Sequence, residues 1–150
     1  IQLRMEFPLD TNVERNALKV SSTATLKNVG LLRGPFGLNL KGGRLAFKMQ
    51  DDAMKVAGPV RLNGAPATVV WHERFGTKGE IRSKFRVQAR LTKQQRESLG
   101  LKNFDFLSGP VNTDMTYTVL RNKQRLLKAE VDLTDAYVAR NDLVFDQIAP

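Results

Sequence analysis

The chain contains no cysteine, one histidine and one tryptophan. Without thiols, disulfides and thiolate metal sites are excluded, while the compartment is left open. A single imidazole also removes most nucleophile–base pairs from consideration. No apolar run approaches the roughly 20 residues needed to span a bilayer as a helix, and no stretch reads as a signal peptide. Low-complexity tracts and long blocks of like charge are missing, so disorder is not expected.

What is present is the composition of a soluble globular domain: 150 residues, 41% hydrophobic and 26% charged. That length corresponds to about one domain, able to bury roughly 70% of its unfolded surface. The one imbalance is electrostatic, with 24 Lys and Arg against 15 Asp and Glu for a net charge of +9. Such an excess suits a polyanion, either nucleic acid or an anionic lipid surface. The charge is spread along the chain, however. Its tightest cluster, "RNKQRLLK" at 121–128, falls short of a basic arm, and a solvated surface is the plainer reading. The first residues, "IQLRMEF", begin at Ile1 rather than Met and already alternate like a strand, as expected for a segment of a longer protein.

Most of the sequence alternates with period two, the signature of strands with one apolar face. Ile1, Leu3, Met5 and Phe7 point one way, and Leu18, Val20, Ser22, Ala24 and Leu26 follow in a second strand. "GPFG" and "KGG" are turn signals ahead of Leu45, Phe47 and Met49, and "QDDA" turns the chain into Met54 and Val56. Gly58-Pro59 is expected to interrupt that strand before Val60 and Leu62. Asn63-Gly64 signals a hairpin into Ala67, Val69 and Trp71. After "GTKGE", Phe85, Val87, Ala89 and Leu91 share one face of a long strand, with Arg86, Gln88 and Arg90 on the other. Val111 to Val119 and Leu127 to Leu133 alternate likewise, around a turn at "RNKQR". One helix breaks the pattern around residues 93–99: Thr92 and Gln95 have capping-box spacing, and Gly100 stands at its stop. The expected fold is mainly β, an antiparallel meander with one short α-helix.

The two ends of the chain resemble each other. "LKVSSTATLKNVGLL" parallels "LLKAEVDLTDAYVA", Leu26 matching Leu133 at an offset of 107, and a strand carrying Met5 or Met115 precedes each. Two readings stand. Residues 1–150 form one β-rich piece of a repeat-built protein, with a second repeat starting near residue 111, or a single self-contained β-domain whose strands look alike.

Trp71 and His72 adjoin in "VVWHERF" (69–75). A zinc-protease helix needs a second histidine where Phe75 stands, and none exists. In a strand Trp71 shares the face of Ala67 and Val69, while His72 points the other way with Val70 and Arg74, which makes it a surface residue. Asp51-Asp52 reads as a turn, and Asp132 and Asp135 flank a strand end. "KGGR" and "RGPFG" lack the strand–loop–helix setting of a phosphate loop. No catalytic or metal-binding constellation emerges. Arg82, Lys84, Arg86 and Arg90 share one strand face, but the strand's aromatic, Phe85, points to the other, which weakens a base-stacking platform.

Several segments in order resemble a known family. These are "VSSTATLKNVGLL", "GGRLAFKMQDDAMKVAGPVRLNGAPATVVWHERF", "LTKQQRESLGL" with "FLSGPV", and "AEVDLTDAYV". Together, over residues 18 to 138, they are similar to the AsmA-like superfamily of bacterial envelope proteins, in particular the conserved region of its large YhdP-type members. The resemblance implies a curved antiparallel sheet stacked into a U-shaped trough, reached from an inner-membrane anchor and extending through the periplasm. It further implies phospholipid transfer towards the outer membrane in the manner of a bridge, with no catalytic motif. The anchor and most of the family's length lie outside this chain.

A trough needs one apolar face along every strand and one polar face towards water. Phe47, Met49, Val69, Trp71, Phe85, Val87, Met115, Tyr117, Leu127 and Val131 supply such a face, and mixed Met, aromatic and branched side chains suit variable, flexible ligands. On pattern alone the same residues make an ordinary core beneath the helix or a second sheet. With the resemblance, the expectation is a non-enzymatic segment without cofactor or metal. It would belong to a periplasmic protein anchored in the inner membrane and would carry phospholipid acyl chains along its groove. Envelope proteins are further possible partners, and nucleic acid is not expected. A non-catalytic envelope scaffold working through sheet edges is the alternative, and a basic nucleic-acid-binding β-domain a third.

Overall fold

The computed structural model of the chain describes residues 2–6, 19–32, 39–101 and 106–138. Alternating apolar positions become strands, because a pleated ribbon with one face towards the core buries every second residue. In chain order these are β1 (Gln2–Glu6), β2 (Lys19–Lys27), β3 (Gly30–Leu31), β4 (Leu40–Gly42), β5 (Arg44–Gln50), β6 (Ala53–Leu62) and β7 (Ala65–Arg74). There follow β8 (Ile81–Leu91), helix α1 (Lys93–Ser98), β9 (Leu107–Ser108), β10 (Val111–Leu120), β11 (Arg125–Asp132) and β12 (Tyr137–Val138). One antiparallel sheet runs in the order β1-β2-β5-β6-β7-β8-β10-β11 and does not close. The short β3 and β4 pair with each other, β4 also lies beside β6, and β9 pairs with β12 in a separate ladder. Among the described residues the architecture is mainly β and antiparallel with one short helix, as the sequence leads one to expect.

Local chemistry sets the turns. Asn63 (φ 44°) and Gly64 (φ 91°) are both left-handed, as a two-residue hairpin matched to sheet twist requires. In the β5–β6 hairpin, closed by the Gln50–Ala53 pair, Asp51 (φ 53°) alone is left-handed. In α1 the Thr92 hydroxyl accepts from the Gln95 N–H, and the Gln95 side chain accepts in return from the Thr92 N–H at 2.9 Å. At its other end Gly100 N–H reaches the Glu97 carbonyl and Leu101 N–H the Arg96 carbonyl, a Schellman pair closing on a left-handed glycine.

Two sequence expectations need correction. "KGG" does not turn: Lys41 and Gly42 belong to β4, and only Gly43 separates it from β5. Nor do Gly58 and Pro59 interrupt β6, which runs through both. The physical reason is a change of neighbour. Along one side of β6, β5 pairs up to Ala57 and β4 resumes at Val60, so Gly58 and Pro59 face a gap in the ladder. A proline there forfeits no ladder bond. Gly58 (φ +151°) is also required sterically, since a Cβ would sit 2.7 Å from the Arg44 carbonyl oxygen and 2.9 Å from Leu45 Cδ2. Asn28 (φ 54°) interrupts β2 and β3 at the same level, its N–H donating to the Gly43 carbonyl. "GPFG", Ile1, Phe7 and Leu18 lie outside the described residues.

The correspondence between the chain ends takes a different register from the methionine match. Met5 stands opposite Val20, whereas Leu127, 107 positions after Val20, stands opposite Tyr117 rather than Met115. The two-residue strands β3 and β12 begin at 30 and 137, the same offset of 107. The core is centred on Leu45, Val56, Val60, Val69 and Val87 in β5 to β8. Near its margin Arg96 is buried, and its guanidinium donates to the carbonyls of Leu91 (3.1 Å), Gly109 (2.9 Å) and Leu107. A fully charged side chain is tolerated there because three carbonyls replace its hydration. This cage ties the helix to β8 and to the segment entering β10.

Candidate functional site

Cross-strand register converts the apolar alternation of single strands into rows running across the sheet. Ala24 stands opposite Phe47, Phe47 opposite Val56, and Val56 opposite Trp71. The row continues through Phe85 and Tyr117 to Leu127. Seven strands contribute, and six steps of ~4.8 Å make the row about 29 Å long. A parallel row links Val69, Val87, Met115 and Ala129, and a third links Ala67, Ala89, Thr113 and Val131. Met49 belongs to a fourth, between Ser22 and Met54. All ten candidate side chains therefore share one face of one sheet.

Their cover is uneven. Val69 (2% exposed) and Val87 (5%) belong to the core, and Phe47, Met49, Trp71, Phe85, Met115 and Tyr117 are partly buried. Leu127 and Val131 are 56% and 49% exposed. The apolar face is thus closed at Val69 and Val87, partly covered around them and open to solvent at β11, the strand at the end of the sheet order. Every side chain of β11 is exposed.

The fourth row turns polar after Met54, passing through Glu73 and Ser83 to Val119 and Arg125. Here lies the contact that adjacency in sequence concealed. Glu73 does not pair with its neighbour His72; it shares the face of Trp71 and accepts the indole N–H at 3.1 Å, with Ser83 Oγ at 3.2 Å. The second Glu73 oxygen meets Arg82 Nε at 3.4 Å. Arg82 lies at a register shift in the β8–β10 ladder and so departs from the basic face expected of it. Period two alone, placing Glu73 with Trp71, is the signal that identifies this polar margin.

The opposite face is hydrophilic. Arg86 and Gln88 both donate to Asp114, and Arg86 holds that carboxyl below the usual carboxylate range. Arg90 pairs with Asp135 at 2.8 Å, and Lys128 with Glu130 at 2.6 Å. Asp132 caps its own turn by accepting from the Thr134 N–H and hydroxyl, which lowers its pKa. His72 is exposed on this face, and its pKa is lowered by partial burial and then by Lys55 and Lys84 on the neighbouring strands. Among the described residues no group of three or more His, Asp or Glu side chains is placed to hold a metal. No helix among them is long and apolar enough to cross a membrane. Compared with known proteins, the chain matches no family model, no curated protein and no solved structure.

Proposed function

We propose that this chain is a non-catalytic lipid-carrying segment, in which phospholipid acyl chains lie against the apolar face and headgroups stay in water at its margins. The observation that carries the proposal is the transverse row from Phe47 through Trp71, Phe85 and Tyr117 to Leu127, continuous over successive strands and uncovered at its β11 end. A core needs burial throughout; a lipid path needs apolar continuity and access. Each methylene removed from water contributes about 0.8 kcal/mol wherever it rests along such a row, so neighbouring positions are similar in energy and a chain can slide. Partial exposure of Met115 and Tyr117 leaves room for contact without opening the core beneath Val69.

The resemblance to AsmA-like envelope proteins supports the same reading. It extends the proposal to a periplasmic protein held by an inner-membrane anchor, with the sheet curved into a trough that leads phospholipid towards the outer membrane. Repetition of the unit, as in the shared 107-residue offset of β3 and β12, would lengthen the path. The exposed terminal strand β11 favours a second reading, a scaffold module that recruits another strand along that edge.

Native mass spectrometry of the protein, purified in mild detergent and then exchanged out of it, separates the two. Retained phospholipid that disappears in the folded Phe85→Asp and Val131→Asp variants supports the lipid path. A clean apo mass from folded wild-type protein favours the scaffold.

A further inference from the structure

The polar face of β5 to β8 carries a feature that the apolar rows do not use. Lys48 stands opposite Lys55, Lys55 opposite His72, and His72 opposite Lys84. Four basic side chains from four successive strands thus form one row, about 14 Å long at ~4.8 Å per strand. All four are exposed. The row on one side holds Gln50, Ala53 and Arg74; the row on the other holds Ala46, Ala57, Val70 and Arg86. Across these three rows β5 to β8 present no carboxylate. Among strand residues the first acids on this face are Asp114 and Glu130, in β10 and β11, and Asp114 is already engaged by Arg86 and Gln88; Asp51 and Asp52 stand at the end of the rows, in the β5–β6 turn. Among the described residues Lys48, Lys55, Arg74 and Lys84 form no ion pair.

Like charges directly opposite one another in a sheet are destabilising, and a protein that merely needed a soluble face would alternate the signs. Mixed signs are what β10 and β11 bring to this face, with Asp114, Lys128 and Glu130, and what β5 to β8 lack. We propose that the polar face of β5 to β8 is a docking surface for an anionic phospholipid bilayer, with Lys48, Lys55, Lys84 and Arg74 set against the headgroup phosphates. Three observations favour a bilayer over nucleic acid. The cations lie on the face of a sheet, which matches a plane of charge rather than a groove. No Phe, Tyr or Trp of β5 to β8 shares this face, since Phe47, Trp71 and Phe85 all belong to the other, which leaves the single imidazole of His72 as its one stacking ring, short of a base-stacking platform. Three of the four unpaired cations are lysines, point charges on long stems that adapt to laterally mobile headgroups, rather than the planar forks that read base edges. At the centre of the row the proton affinity of His72 is lowered by partial burial and then by Lys55 and Lys84. This surface lies on the side away from the apolar rows, so it stands whether or not those rows take lipid.

The test is flotation of the folded protein with phosphatidylcholine vesicles, with or without about 30 mol % phosphatidylglycerol, at low and near-physiological salt. The protein is expected to float only with the anionic vesicles, and less as salt rises. The combined Lys48→Gln, Lys55→Gln and Lys84→Gln variant should lose roughly a hundredfold in partitioning. Removing the same charge elsewhere, with Lys78→Gln, Lys93→Gln and Lys123→Gln, should cost far less. Equal losses in the two triple variants would overturn the proposal in favour of net charge alone. So would absence of flotation, or binding of a DNA duplex in the same buffer that leaves vesicles unbound.

Discussion

Trp71 and Glu73, two positions apart on β7, are joined by a hydrogen bond from the indole N–H to the carboxylate at 3.1 Å. The only tryptophan in the chain is therefore anchored at its polar edge while its ring lies in the long apolar row. Glu73→Gln keeps an acceptor in place and should leave both stability and Trp emission nearly unchanged. Glu73→Leu removes it, and about 0.5–1.5 kcal/mol of stability should be lost, with altered tryptophan emission, by urea titration followed through fluorescence.

Gly58 makes a second, steric prediction. An added methyl would meet the Arg44 carbonyl and Leu45 where β6 exchanges one neighbour for another. Gly58→Ala should cost about 2 kcal/mol or more, whereas Gly43→Ala, which meets nothing within 4 Å, should cost far less. Chemical denaturation of the two variants decides this.

Arg96 is a structural cation, not a binding one. Arg96→Met preserves much of the side chain's length but leaves the carbonyls of Leu91, Leu107 and Gly109 without their donor. A loss of about 3 kcal/mol or more is expected, with amide exchange rising first in α1 and around β9. An unchanged midpoint of unfolding would contradict the cage.

His72 offers a clean titration because no other imidazole is present. Its pKa in the folded protein should fall below the ordinary value of about 6.5, and Lys55→Gln should raise it towards that value. The sign for stability follows. A histidine with a depressed folded pKa binds protons more readily when unfolded, so its contribution is intact above the unfolded pKa. That contribution declines as pH falls from there towards the lower folded pKa. Proton NMR of the ring across that window reads the shift directly.

Most of the sheet was legible from alternation, since period two assigns faces without knowledge of neighbours. The ten apolar candidates fall on one face for that reason, and Thr92, Gln95 and Gly100 delimit the helix because capping is local. Legibility ended where partners are distant in sequence. Gly58-Pro59 reads as a break by local propensity, and only the switch from β5 to β4 beside it explains why the strand continues. Arg96 sits in a helix whose own residues are polar, so nothing nearby announces burial; its carbonyl partners come partly from beyond the helix. The basic row likewise exists only through register, each strand from β5 to β8 contributing one member to it.

The position of Trp71 in the middle of the apolar row allows the central claim to be tested most directly. Its fluorescence should be quenched when the protein is loaded with phospholipid brominated along the acyl chains, and the quenching should vanish in a folded Phe85→Asp variant. Emission from Trp71 that is indifferent to brominated chains, in folded protein carrying the lipid, would contradict the account.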